Sequence, residues 1–134
     1  EYCGLRHSFM DAKAYTLPQE KFDEWLADFD PEVKDPKGLE LLRSNACIGC
    51  HSLDGSKLVG PSFKGLFEAE KTVLVNGKEK TITADEAYLK KSIIHPNDEV
   101  VKGYAPNIMQ SYEKVISEED IQHIIDYLKT TKTE

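Results

Sequence analysis

The sequence is short of everything that would mark a membrane-spanning or nucleic-acid-binding protein. No apolar run in its 134 residues approaches the roughly 20 that a spanning helix needs, and no secretory leader pattern is visible. The chain as written therefore reads as soluble. Basic residues are outnumbered, 17 Lys and Arg against 24 Asp and Glu, for a net charge of −7. With no basic stripe, nucleic acid is excluded as a partner. Lys57, Lys64 and Lys102 remain free to form a local patch, so net charge alone names no partner. Internal repeats and low-complexity segments are lacking too. Sulfur is scarce, with three cysteines and two methionines. Its placement is informative: Cys3 and Met10 lie in the first ten residues, Cys47 and Cys50 lie three apart, and Met109 stands alone downstream. An odd cysteine count leaves Cys3 as a free thiol or a metal ligand.

What is present suits one compact domain with room for an extension. Apolar content of 40% and charge of 31% are ordinary for a globular chain. Such a chain buries about two-thirds of its unfolded surface, a modest core that a bulky apolar cofactor would help to fill. Residues 11–16 (DAKAYT) read as a short strand. In PQEKFDEWLADF, Phe22, Trp25, Leu26 and Phe29 recur at i, i+3, i+4 and i+7, the mark of an apolar helical face, with Pro18 at the first position. That face is expected to pack on the following domain or on a neighbouring molecule. DPEVKDPKG (30–38) reads as a linker, followed by a helix starting at Asp35 with Pro36 in its first position. TVLVNGKEKTIT (72–83) reads as a hairpin turning at Asn76-Gly77. Thr83-x-x-Glu86 reads as a capping box for a helix that stops before Pro96. Ser117-x-x-Asp120 opens a last helix whose Ile121, Ile124, Ile125 and Leu128 share one face.

Cys47-Ile48-Gly49-Cys50-His51 is C-x-x-C-H, the attachment motif of c-type haem. Two thiols add across the haem vinyl groups, and the adjacent His51 is then held beneath the iron as proximal ligand. Attachment of this kind implies maturation outside the cytoplasm. Two other readings compete. A zinc half-site would find only Cys3 as a further thiolate. A thioredoxin-like pair would want a βαβ context that the sequence lacks. In LVGPSFKGLF (58–67), the Pro61 carbonyl is placed to accept the other ring N–H of His51, fixing its tautomer. Phe63, Leu66 and Phe67 would supply an apolar wall.

Over residues 35–132 the sequence resembles class I cytochrome c. The family places a glycine in its first helix where that helix crosses the last one against an aromatic residue. Gly38 and Tyr127 match those positions, and Leu42 and Ile124 match the flanking apolar contacts. The resemblance implies an all-α fold with the hairpin as a small insertion, one covalent haem c, and Met109, in GYAPNIMQSY, as sixth iron ligand. A thioether on the iron favours the ferrous state, which suits a carrier. The family usually has proline after this methionine; here Gln110 follows. Met109 as a core residue is the plain alternative. His95 and His123 read as surface residues, either of which could replace a lost Met109.

The opening EYCGLRHSFM is similar to the last ligand loop of the dinuclear copper centre, CuA, of haem–copper oxidase subunit II. Glu1, Cys3, Gly4, His7 and Met10 match that loop. The first bridging cysteine and the second histidine are not in this sequence, so these residues are remnant ligands that should not hold a dinuclear site here. A weak mononuclear copper or nickel site is conceivable. DAKAYT and the helix after it fit the strand and helix that follow the loop in that family. The whole then resembles the fused subunit II of caa-type oxidases, with residues 1–34 the end of a copper domain plus linker and 35–134 a cytochrome c domain. That resemblance implies a membrane-anchored parent on the outer face of a bacterial membrane. It implies an electron carrier rather than an enzyme in itself, relaying electrons from a cytochrome, an iron–sulfur protein or a quinol-oxidising complex to CuA. The rivals are a free-standing class I cytochrome c, a haem-based sensor or peroxidase-like protein with an open sixth position, and a zinc-stapled interaction module.

Overall fold

A computed structural model of the chain describes residues 16–27 and 35–131. The chain divides into two units, Glu1–Lys34 and Asp35–Glu134. In the first, α1 runs Gln19–Ala27, and its Phe22, Trp25 and Leu26 are exposed. The Phe22 and Trp25 rings lie 5.6 Å apart. Phe29, the DAKAYT strand apart from Thr16, and the ligand-like residues Glu1, Cys3, His7 and Met10 lie outside the described residues.

The second unit is organised by a crossing of α2 (Lys37–Ser44) and α4 (Glu118–Thr130). Leu39, Leu41 and Leu42 of α2 are buried, as are Ile121, Ile124, Ile125 and Leu128 of α4. Gly38 is what lets the helices meet. A Cβ there would stand 2.3 Å from the His123 carbonyl oxygen and 2.4 Å from the Tyr127 Cβ. No side chain fits in that space, so glycine at this position is a packing requirement. The α2 start differs from expectation. Pro36 occupies the N-cap without a side-chain cap, and the Asp35 carboxylate pairs with Arg43 instead of capping the helix. The last helix begins as its sequence suggests, with the Ser117 hydroxyl accepting from the Asp120 N–H at 3.1 Å.

The expected all-α class is overturned by a three-stranded antiparallel sheet in the order β2-β1-β3, built from β1 (Glu70–Val75), β2 (Lys78–Thr83) and β3 (Val100–Val101). The hairpin turns at Asn76-Gly77, both with positive φ (50° and 77°), as a tight two-residue turn demands. It is not a free insertion. Its outer edge pairs with β3 through Val73↔Val101 and Leu74↔Val100, and Val73 is fully buried. A two-stranded hairpin is marginal alone, and a third strand plus packing makes it hold. Ala84 at its end joins the helical core with Ile82 packed beside it. Helix α3 (Glu86–Ile94) follows. It is capped by the Asp85 side chain, which accepts from the Tyr88 N–H at 2.8 Å, rather than by Thr83. It ends at Ile94, with His95 as its C-cap just before Pro96.

Candidate haem-binding site

Directly after α2 the chain reverses. Ala46 takes a left-handed conformation (φ 56°, ψ 21°), and Cys47–Gly49 form one turn of 3₁₀ helix. The Cys50 and His51 N–H groups both donate to the Cys47 carbonyl, at 3.1 and 3.0 Å. This tight turn gathers two half-buried thiols and an imidazole within five residues.

The His51 ring is fixed on three sides. Its Nδ1 lies 2.7 Å from the Pro61 carbonyl oxygen, which can only accept, so Nδ1 carries the proton and the Nε2 lone pair is available. Phe63 stacks on it, with centroids 4.6 Å apart and planes 11° from parallel. Gly60 closes the third side, where a Cβ would come within 2.6 Å of the ring. Burial pushes the His51 pKa down, against the upward pull of the Pro61 hydrogen bond, so the ring is held neutral as a metal ligand must be.

The loop that presents Pro61 is itself held in place. The Gly60 N–H donates to the Cys50 carbonyl at 2.8 Å, and the Phe63 N–H donates to the Ser52 carbonyl at 2.8 Å. The buried Ser52 hydroxyl donates to the Ser56 carbonyl at 2.6 Å. Phe63 and Leu66 are buried and join the helical core; Phe67 is half-buried against it, under Lys129 at 5.8 Å.

Met109 is half-buried in the loop between β3 and α4, flanked by exposed Ile108 and Gln110. Its loop is tied to the end of α3. The Asn107 N–H donates to the Asn97 side-chain oxygen at 2.7 Å, the Ser111 hydroxyl to the Ile94 carbonyl at 2.5 Å, and the Tyr112 N–H to the Ile93 carbonyl at 3.1 Å. His95 is exposed and His123 half-buried on α4.

The donor set and its surroundings fit a covalently held haem. The C-x-x-C-H turn supplies two thiols and a neutral imidazole, and the missing side chain at Gly60 leaves the His51 ring its place. Leu58, Val59 and Ile108 present apolar surface on the two loops carrying His51 and Met109, surface that a porphyrin would cover. A zinc site fits less well. Among the described residues no group of three or more His, Cys, Asp or Glu gathers as a metal site. Burial also pushes the Cys47 thiol up, away from the thiolate that zinc requires.

Two residues of this site escaped the sequence reading. Gly60 carries a signal in principle, since it stands beside the Pro61 that braces His51. Tyr112 carries none, because its partners are remote in sequence.

Residues 36–132 match the cytochrome c family, and the chain belongs to it: it is a haem c electron-carrier domain. Beyond that domain, cytochrome c oxidase subunit 2 of Alkalihalophilus pseudofirmus is 30% identical over 98% of this chain and 37% of its own length. The subunit 2 of Bacillus sp. (strain PS3) is 29% identical over 100% of this chain and 38% of its own length. The chain thus spans under two-fifths of these relatives. The likeness runs through residues 1–35 as well as the cytochrome domain. Among the described residues, no helix is long and apolar enough to cross a membrane.

Proposed function

We propose that this chain relays single electrons from an upstream respiratory donor to the CuA centre of a haem–copper terminal oxidase. In this reading Cys47 and Cys50 anchor the haem, His51 and Met109 ligate its iron, and Pro61 orients His51. When bound, the haem supplies a one-electron ferric/ferrous couple. The protein's part is to hold the ligands still. The His51 ring, braced by Pro61, Phe63 and Gly60, has little room to reorient between oxidation states, so little reorganisation opposes transfer. Phe63, Leu66 and Phe67 keep water from the proximal side. The donor would be a cytochrome, an iron–sulfur protein or a quinol-oxidising complex, and docking would be weak and small in area, as suits a carrier.

Residues 1–34 are assigned to the end of the copper domain, with Glu1, Cys3, His7 and Met10 the part of its ligand loop that this sequence holds. The parent subunit would sit on the outer face of a bacterial membrane, beside the other oxidase subunits. The observation that carries the oxidase setting is that the likeness to subunit 2 covers 98% of the chain instead of stopping at the cytochrome domain.

The test is rapid mixing of the reduced, haem-loaded protein with an oxidised, copper-loaded CuA domain from a subunit 2. Haem oxidation in step with copper reduction is the expected result. Efficient oxidation by unrelated acceptors but not by CuA would favour a free-standing carrier. Carbon monoxide binding to the reduced protein at neutral pH would point instead to an open sixth position and a sensor or peroxidase-like role.

A further inference from the structure

A hydrogen bond ties the Met109 loop to the chain just ahead of the haem-attachment turn. The Tyr112 hydroxyl, three residues past Met109, donates to the Asn45 carbonyl at 3.1 Å, across 67 positions of sequence. Asn45 is the C-cap of α2, two residues before Cys47, and is pinned to the Leu41 carbonyl by both its backbone and side-chain nitrogens. The acceptor is therefore anchored to a buried helix. Tyr112 is itself half-buried and packs on the helical core. Among the described residues the other side-chain donor to the Asn45 carbonyl is the Cys47 thiol at 3.8 Å, a weak contact that a thioether, having no S–H, cannot make.

We propose that Tyr112 is a positioning residue for the Met109 loop, a strut that clamps this loop onto the haem-attachment turn through the Asn45 carbonyl. Tyr112 thus ties down by a hydrogen bond a loop in which Gln110 stands where the family usually has proline. The proposal rests on Met109 being the sixth ligand. Removing the hydroxyl leaves a half-buried carbonyl without its donor in the closed state only, so the loop opens more often. An external ligand that must displace Met109 reads that opening directly.

The experiment is imidazole titration of the ferric, haem-loaded protein, comparing the native chain with Tyr112→Phe, which keeps the ring and its packing. The expected result is an imidazole affinity about fivefold higher in Tyr112→Phe, the effect of one net hydrogen bond, with haem attachment intact. Asp85→Ala uncaps the far end of α3 and serves as the control for general destabilisation; its imidazole affinity should match the native value. An unchanged affinity in Tyr112→Phe, or an equal rise in Asp85→Ala, overturns the strut. Met109→Ala separates the two levels. Loss of the far-red sulfur-to-iron band there upholds the ligand assignment whatever Tyr112→Phe does, whereas survival of the band sinks the ligand assignment and the strut together.

Discussion

The two loops that would face the haem from opposite sides are built by different means. The His51 loop is held largely from within: most of its bonds join residues 47 to 63, with the Thr131 hydroxyl adding one to the Phe63 carbonyl at 2.8 Å, its ring is stacked and cradled, and its wall is part of the helical core. The Met109 loop makes its anchoring bonds outward, to Asn97, Ile94, Ile93 and Asn45. One side is rigid by its own local structure, and the other is only as firm as the elements it leans on.

The comparison breaks most severely at the crossing that supports the His51 side. Gly38→Ala drives a methyl into the α4 backbone and should cost about 3 kcal/mol, the upper range for overpacking. Denaturant unfolding of the haem-loaded protein checks it, and a cost near zero would mean that α2 and α4 do not meet as described. Gly60→Ala strikes the His51 ring itself and should cost about 2 kcal/mol. It should perturb the proximal ligand while leaving the Met109 loop anchored, which a comparison of unfolding curves and imidazole titrations separates.

On the other side the effects should be smaller and of another kind. Ser111→Ala removes an exposed staple to α3, worth about 0.5 kcal/mol or a little more. It should raise imidazole affinity about twofold with little change in melting. The smallest effect is electrostatic. Glu99 bridges Lys80 of β2 at 3.1 Å and Lys91 of α3 at 3.4 Å, tying the sheet to the helix on which the Met109 loop leans. Burial pushes its pKa up, but hydrogen bonds and charge from Lys80 and Lys91 outweigh that and hold it below the ordinary value. A depressed folded-state pKa adds stability above the unfolded value, about 4.3, and loses it as pH falls through the folded one. The native chain should therefore exceed Glu99→Gln in melting temperature at neutral pH. That margin should shrink to nothing in acid.

How far the molecule was legible in its sequence follows the same division. The C-x-x-C-H turn, Pro61 beside His51, Gly38 against Tyr127, and the Ser117 cap are short-range or stereotyped patterns, so residue identity carries them. The Asn76-Gly77 turn is equally local. What escaped depends on distant partners. β3 is two valines whose strand character exists only because the edge of β1 is available, and that pairing overturned the all-α expectation. Thr83 and Asp85 both precede α3 as possible caps, and only the backbone path from β2 decides for Asp85. Tyr112 is one of six tyrosines until its bond to Asn45 is seen.

The most direct test of the central claim is the absorption spectrum of the protein made with haem maturation, recorded oxidised and then reduced. A low-spin c-type spectrum, with the weak far-red band in the oxidised form that disappears on reduction, is predicted. It would place sulfur opposite His51 in a closed, carrier-type site. Haem without that band would contradict the Met109 assignment, and no covalent haem after competent maturation would contradict the account as a whole.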